Sequence, residues 1–326
     1  MKRRFFILPA SLLVAVIVLF SCGSKELLFT QGTGMVPYAC QGPFAGKTVQ
    51  IYYHIPAGDV HTMPVQFVLH GMSRNGDGYR DRWIPLSDQY GFILLAPQFN
   101  EEEFPEIAYQ QGNVVDETGS FLPKEKMTYP IIGEIFRYFT KHSASRARKY
   151  NIYGHSAGSQ FVHRYLLFGD TPEVDRAVAA NAGWYTFPTD TIDYPYGIGD
   201  SARKIGTDID AFYGKKMIVL LGDADTLRTS SLRQTPEADT QGLTRLERGN
   251  TFFSFCQQDA ATRGVAFNWE KAYVPGAGHS DAKMAPAAAR ILYGQQESAV
   301  INRRWRHCRG APPERRCAWC HRSVWP

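Results

Sequence analysis

The sequence predicts an α/β protein in which a mostly parallel sheet lies between two layers of helices. Two patterns predict this architecture: short apolar runs typical of strands buried on both faces, and helical patterns that fall between those runs. The chain has 326 residues, of which 44% are hydrophobic and 21% are charged, so it can bury a sizeable core and is not a disordered or repetitive protein. No second domain is indicated.

Seven segments are predicted to be strands. Residues 49–55 alternate apolar and polar positions, which favours an antiparallel edge strand. Four further segments are almost continuously apolar, as strands of a buried parallel sheet are: Val65–Leu69, Phe92–Ala96, Tyr150–Tyr153 and Met217–Leu221. The remaining two, Ala177–Ala180 and Trp269–Val274, show the same character more weakly.

Three segments carry apolar residues at helical spacing. Apolar positions over 131–139 share one helix face, and Pro130 stands where a first-turn proline is tolerated. Ala157–Phe168 is apolar on nearly all sides, which predicts a buried central helix. Met284–Ile291 follows the last strand with the spacing of one buried helix face.

The net charge of +5 is concentrated at the two ends of the chain. Lys2–Arg4 supply three positive charges, and residues 303–326, with seven Arg and one Glu, supply a net six, so the stretch between them is net negative. We therefore predict no nucleic-acid partner, because such proteins concentrate basic residues on the folded domain.

The first 22 residues resemble a bacterial lipoprotein signal peptide. A basic start precedes a short apolar run that ends in Leu19-Phe20-Ser21-Cys22, similar to a lipobox. This predicts lipidation of Cys22, attachment to a membrane through an N-terminal lipid anchor and a location in the cell envelope, at the outer membrane in a Gram-negative cell. An uncleaved anchor and ordinary secretion are the alternatives. Residues 23–47 are predicted to be a tether and N-terminal segment.

Residues 296–326 form a basic tail rich in Cys and Trp, which we predict to be disordered. It contains Cys317-Ala318-Trp319-Cys320-His321, which matches the c-type haem attachment pattern, and Cys308 adds a fourth candidate zinc ligand. We predict neither a cofactor nor a metal, because too few residues surround these side chains to enclose a haem. Outside the tail, Cys40 and Cys256 either form one disulfide or remain buried thiols.

The strongest chemical signal is Gly154-His155-Ser156-Ala157-Gly158, between a predicted strand and the buried helix. A sharp strand-to-helix turn lifts the serine hydroxyl above a sheet, and flanking glycines let the neighbouring backbones approach. The helix N-terminus adds partial positive charge at this point. Ser156 is therefore the predicted nucleophile.

A serine hydroxyl needs a base to take its proton and a third group to orient that base. His279 is the predicted base, because it follows the last strand in a Gly- and Pro-rich loop; an exposed loop histidine is the alternative. Asp225 is the predicted acid, while Asp223 in the same loop could instead cap a turn. The resulting order of serine, acid and histidine differs from the orders of chymotrypsin and subtilisin.

Two backbone N–H groups are predicted to hold an oxyanion, those of Ala157 and Met72. His70 precedes Met72 in the loop after a strand and is expected to hold that loop in place. Trp184 and Tyr185 begin an aromatic stretch that either forms a substrate pocket or only packs a short lid.

The His70-Gly71 loop, the Gly154–Gly158 turn, Asp225 and His279 together resemble the α/β-hydrolase superfamily over residues 48–295. The secreted polyhydroxyalkanoate-depolymerase and feruloyl-esterase-like branch is the most similar. The resemblance implies a three-layer fold with a short lid and a serine esterase that cleaves small-molecule or polymeric carboxylic esters through an acyl-enzyme, without a cofactor. A serine peptidase of the same fold and a non-catalytic ligand-binding lipoprotein are the alternatives.

Overall fold

A computed structural model describes residues 27–294 of the chain. Its eight strands form one mixed sheet in the order β1-β2-β4-β3-β5-β6-β7-β8. The strands are β1 (Gly32–Ala39), β2 (Thr48–Ile55), β3 (Val65–Leu69), β4 (Ile93–Gln98), β5 (Tyr150–His155), β6 (Val174–Ala180), β7 (Met217–Gly222) and β8 (Glu270–Val274). The β1–β2 and β2–β4 pairs are antiparallel and the others are parallel, as the sequence predicts for a mostly parallel sheet.

Helices connect the strands and cover both faces of the sheet. They are α1 (Gly76–Tyr90), α2 (Glu106–Tyr109), α3 (Pro130–Lys141), α4 (Ala157–Phe168), α5 (Ser201–Ile205), α6 (Ile209–Gly214), α7 (Pro236–Asp239), α8 (Arg245–Arg263) and α9 (281–294). Two 3-10 turns lie at Gly42–Phe44 and Lys124–Lys126.

The core consists of two apolar layers because successive residues of a strand point to opposite faces. Phe67 and Leu69 of β3 join a layer with α3, α4 and α8, whereas Val68 between them joins a layer with α1 and α9. The predicted three-layer α/β fold is confirmed. The carboxyl ends of the parallel strands lie along one edge of the sheet, so the loops that follow β3, β5, β7 and β8 meet there.

The strand β1 lies in the segment predicted to be a tether. It pairs with β2 along its whole length, from Gly32 opposite Ile55 to Ala39 opposite Thr48. Phe29 precedes β1 and is buried at 1% exposure. The folded domain therefore begins before residue 48, and part of the 23–47 segment belongs to the fold.

Cys40 and Cys256 are both buried free thiols, so the suggested disulfide is wrong. Cys40 follows β1 at one edge of the sheet, whereas Cys256 lies on α8, which packs on β7 near the opposite edge. Burial raises the pKa of the Cys40 thiol to about 11 and raises that of Cys256 well above its ordinary value. Both side chains are therefore core residues of low reactivity.

Within residues 27–294, no helix combines the length and apolar character that crossing a membrane requires. The same residues hold no cluster of three or more His, Cys, Asp and Glu side chains suited to a metal ion. The predicted signal peptide, the lipidation site at Cys22 and the Cys-rich tail lie outside the described residues.

Candidate active site

Ser156 occupies a strained turn between β5 and α4. Its φ of 57° and ψ of −114° are unusual for a residue with a side chain. Two backbone bonds hold the turn: Ser156 N donates to the Ala180 carbonyl at 3.0 Å, and Gln160 N donates to the Ser156 carbonyl at 3.1 Å. The strain is thus fixed by the adjacent strand and by the first turn of the helix.

The two glycines of the turn are required by close backbone contacts. A Cβ on Gly154 would lie 2.2 Å from the Gly158 carbonyl oxygen, and a Cβ on Gly158 would lie 2.3 Å from the Leu69 carbonyl oxygen. No side chain fits at either position, because real Cβ contacts stay beyond about 3 Å. The Gly-x-Ser-x-Gly spacing therefore lets α4 pack directly against the ends of β5 and β3.

The structure brings Ser156, His279 and Asp225 into hydrogen-bond contact. Asp225 Oδ2 lies 2.8 Å from His279 Nδ1, and Ser156 Oγ lies 2.9 Å from His279 Nε2. An ionised carboxylate can only accept, so Nδ1 carries the proton of the neutral imidazole and Nε2 is free to accept from the serine hydroxyl. Asp223 instead accepts from Gly276 N at 2.7 Å, which is the turn-capping role considered as its alternative.

Backbone contacts bring the Asp225 and His279 loops together. A Cβ on Gly222 would lie 2.3 Å from the Ala277 carbonyl oxygen, and Ala224 N donates to that oxygen at 3.0 Å. Asn181 holds both loops as well: its side chain accepts from Gly222 N at 2.8 Å and donates to the Gly278 carbonyl at 3.3 Å.

Sequence reasoning assigned no role to Asn181. The available signal was an asparagine at a strand end before Ala182-Gly183, a type of residue that tolerates the positive φ of 49° observed there.

The loop after β3 brings a backbone donor close to the nucleophile. A Cβ on Gly71 would lie 3.8 Å from Ser156 Cβ. Phe99 N donates to His70 Nε2 at 3.0 Å, so the proton of this imidazole is on Nδ1, which donates to the Gly71 carbonyl at 2.9 Å. Burial lowers the pKa of His70 to about 3 and keeps it neutral. His70 thus fixes the orientation of the peptide that carries Met72 N–H.

Met72 N–H and Ala157 N–H are both free to act as donors. Neither hydrogen-bonds to another residue of the described 27–294 range. Ala157 is the first residue of α4, where an N–H has no partner within the helix. The two predicted oxyanion donors therefore come from the loop after β3 and from the N-terminus of α4.

Two solved structures of bacterial polymer hydrolases are similar to the whole described domain. Poly(aspartic acid) hydrolase-1 from Sphingomonas sp. KT-1 has 38% sequence identity and a TM-score of 0.75, over 81% of this chain and 100% of that chain. The chain belongs to the α/β-hydrolase superfamily of serine hydrolases. LpqC, a poly(3-hydroxybutyrate) depolymerase from Bordetella parapertussis, has 30% identity and a TM-score of 0.76, over 82% and 90% of the two chains.

More distant structures share the fold of this hydrolase. The S-formylglutathione hydrolase FrmB from Staphylococcus aureus has 16% identity and a TM-score of 0.51, over 80% of this chain and 97% of that chain. Neither a protein-family model nor a curated protein matches the chain. The predicted membership of the superfamily is confirmed, and the protein is an enzyme that catalyses hydrolysis.

A buried carboxylate anchors the histidine loop of this α/β-hydrolase. Asp281 lies two residues after His279 and begins α9. Arg82 Nε donates to its Oδ2 at 2.8 Å, and the Tyr153 hydroxyl donates to its Oδ1 at 2.8 Å. Burial raises the pKa of Asp281 above its ordinary value, and both hydrogen bonds partly oppose this change.

We expect Arg82→Leu to destabilise the hydrolase more at pH 8 than at pH 4. The raised pKa of Asp281 means that the folded state binds this proton more tightly than the unfolded state, so ionisation costs stability as the pH rises through that pKa. Arg82 offsets this cost. Its loss should therefore lower the free energy of unfolding by about 1–3 kcal/mol at pH values above the pKa of Asp281. Urea denaturation at both pH values measures the difference.

Arg203→Leu is the matched control, because it removes an exposed partner of Asp200. This change is expected to alter the free energy of unfolding by less than about 1 kcal/mol at either pH. An equal loss at pH 4 and pH 8 in Arg82→Leu would contradict the role of Arg82 as the counter-charge of Asp281.

A cleft of about 210 Å³ opens beside Ser156. Trp184 is one of the residues that line it, and its place in a substrate pocket stays a prediction. Tyr185 does not line it, and that prediction is wrong. The Tyr185 ring is fully buried and stacks on Phe252 at 4.4 Å, and Tyr185 N donates to the side chain of Gln241. Its aromatic ring belongs to the apolar layer beneath α8.

The cleft also contains charged residues that sequence reasoning missed. Arg233, Arg245 and Glu106 all line it. Arg245 is 2% exposed, with Nη1 3.7 Å from Asp225 Oδ1. Nothing in the sequence separates these arginines from the many other basic residues, because they reach the cleft only through the long connections around α2, α7 and α8.

Proposed function

We propose that this hydrolase is a serine esterase that cleaves carboxylic esters through Ser156, His279 and Asp225. Two hydrogen bonds carry the proposal: His279 Nδ1 donates to Asp225, and Ser156 Oγ donates to His279 Nε2. A serine hydroxyl bonded to the free nitrogen of a neutral imidazole has the arrangement that general-base activation needs.

Each residue has a defined part in the proposed reaction. His279 Nε2 accepts the hydroxyl proton as Ser156 Oγ attacks the acyl carbon, and Asp225 stabilises the imidazolium that forms. The N–H groups of Met72 and Ala157 donate to the oxyanion of the tetrahedral intermediate. The imidazolium then gives its proton to the leaving alcohol, and water activated by His279 releases the acid from the acyl-enzyme.

We further propose that the enzyme acts outside the cytoplasm, attached to the cell envelope by a lipid on Cys22. The signal-like residues 1–22 and the lipobox-like sequence that ends at Cys22 support this location. Substrates are then small or polymeric esters that reach the envelope. Two similar structures carry the names of polymer hydrolases, which favours polymeric substrates.

Labelling with a fluorophosphonate probe tests the catalytic assignment. The wild type is expected to gain one probe adduct at Ser156, located by mass spectrometry of peptides, and Ser156→Ala is expected to gain none. Ser159→Ala is the matched control, because Ser159 lies one turn further along α4 with a buried hydroxyl that has no hydrogen-bond partner. Labelling that survives in Ser156→Ala would refute Ser156 as the nucleophile.

Amide hydrolysis is a second candidate, favoured by the 38% identity to a poly(aspartic acid) hydrolase. The same triad attacks an amide carbonyl when His279 protonates the leaving nitrogen. Incubation with poly(3-hydroxybutyrate) and with poly(aspartic acid), followed by size-exclusion analysis of chain length, separates the two bond types. Shortening of the second polymer alone would replace the esterase assignment with amide hydrolysis.

A further inference from the structure

We propose that the cleft binds acyl substrates that carry a free carboxylate near the scissile bond. Arg233 recognises this carboxylate, which replaces Glu106 as the partner of its guanidinium. The inference rests on the proposed function, because it concerns the substrate of the same serine. Arg233, Glu106 and Ser156 line one cleft. A group bound at Arg233 is therefore part of the same substrate that Ser156 attacks.

The cleft has an excess of positive charge. Glu106 is the only acidic residue among the described residues that line it, against Arg233 and Arg245. Arg245 already faces the carboxylate of Asp225 and donates to Ser231 Oγ at 3.1 Å. Arg245 is almost fully buried whereas the Arg233 side chain is 28% exposed, so Arg233 is the lining cation that a substrate can reach.

A third arginine lies directly behind the cleft wall. Arg164 is fully buried and donates only to neutral oxygens, those of Thr186, Gln110 and Gln160. No carboxylate of the described residues lies within 4.0 Å of its guanidinium. Its uncompensated charge adds to the field in the cleft, since buried charges are screened little by salt.

Trp184 holds Arg233 in a defined orientation. The Arg164 guanidinium carbon lies 4.0 Å from the centre of the Trp184 ring, and that of Arg233 lies 4.7 Å from it. Such cation–π contact fixes the plane of the Arg233 guanidinium and leaves its edge free to donate hydrogen bonds. A planar guanidinium fixed in this way can bind a carboxylate through two parallel bonds.

In the structure, that edge is occupied by Glu106. Arg233 Nη2 lies 2.5 Å from Glu106 Oε1, and the two side chains are 28% and 47% exposed. Ion pairs this accessible contribute little to stability, so a substrate carboxylate can replace Glu106 at small cost. The Glu106 carboxylate is then solvated by water. A neutral substrate cannot form this ion pair, so Arg233 does not increase its affinity.

Kinetics with two matched esters test the exchange. The anionic substrate is the mono-4-nitrophenyl ester of adipic acid, and the neutral substrate is its methyl ester. Wild-type kcat/KM is expected to favour the anionic ester by about tenfold, as one charge-assisted hydrogen-bond pair provides. Arg233→Leu should lower kcat/KM for the anionic ester by about tenfold more than for the neutral ester and so remove this preference. Glu106→Gln frees Arg233 and should lower KM for the anionic ester alone by about threefold.

Arg203→Leu is the control for loss of a surface arginine, because it lies on α5 and is not among the residues that line the cleft. It should retain the full preference. Equal loss on both esters in Arg233→Leu, or a higher KM for the anionic ester in Glu106→Gln, would overturn the proposal. Glu106→Gln remains informative if Arg233→Leu fails to fold, because it keeps the arginine.

Ser156→Ala separates this inference from the proposed function. Hydrolysis of the neutral ester by Ser156→Ala would refute the triad itself. An inactive Ser156→Ala together with an unchanged charge preference in Arg233→Leu would refute only the role of Arg233.

Discussion

His279→Ala is expected to lower kcat for ester hydrolysis by about 10⁴- to 10⁶-fold while KM changes little. His279 is the only base that contacts Ser156 Oγ among the described residues, at 2.9 Å. Without it the serine must lose its proton to water, and no imidazolium can protonate the leaving group. Steady-state kinetics and the rate of fluorophosphonate labelling both measure this loss.

Asp225→Asn is expected to cost less, about 10⁴-fold in kcat, because it keeps the shape of the side chain but reverses the preferred tautomer of His279. His61→Ala is the control, since His61 is exposed and its ring nitrogen bonds only the Ala144 carbonyl. We expect the His61 variant to have wild-type kcat. A loss below about tenfold in His279→Ala would show that another base serves Ser156.

The central strands of the sheet could be predicted well because they are buried on both faces. A continuous apolar run such as Met217–Leu221 is too short for a typical buried helix and has the length of a strand covered on both sides. The strand β1 was missed because an edge strand is only partly buried and tolerates residues such as Pro37. The helix α1 was missed for a related reason: it contains Pro85 and has no strong apolar face.

The reacting residues could also be predicted, because each follows the carboxyl end of a predicted strand. Ser156, Asp225 and His279 come after β5, β7 and β8, and a parallel sheet brings those ends together. Residues that support or extend the site could not be found in this way. Arg233 reaches the cleft through a long connection, whose course depends on tertiary packing and leaves no periodic signal.

The choice between Trp184 and Tyr185 shows the same limit. Both are aromatic neighbours in one loop, and the sequence gives no reason to separate them. In the structure the Trp184 ring lines the cleft and contacts two guanidiniums, whereas the Tyr185 ring packs on Phe252 in the core. The position of α8 next to this loop decides that the Tyr185 ring packs in the core and the Trp184 ring faces the cleft.

Gly158→Ala is expected to be strongly damaging, although it adds only a single methyl group at the active site. The new Cβ would lie 2.3 Å from the Leu69 carbonyl oxygen and 2.8 Å from that of His70, so α4 or the end of β3 must move. Overpacking against a backbone group is expected to lower the free energy of unfolding by about 3 kcal/mol or more. In a domain of this size, that lowers Tm by roughly 6–12 °C.

The contact also links stability to catalysis. The backbone that Gly158 touches continues directly into Gly71 and Met72, so moving it displaces one predicted oxyanion donor relative to Ser156. We therefore expect the folded fraction of Gly158→Ala to lose about 10²- to 10³-fold in kcat as well. Gly214→Ala is the matched control, because a Cβ there meets nothing within 4 Å. Calorimetry and titration of active sites in both variants test this link. Equal Tm and kcat values in the two variants would show that the end of β3 can move away from the added methyl group without loss of stability or activity.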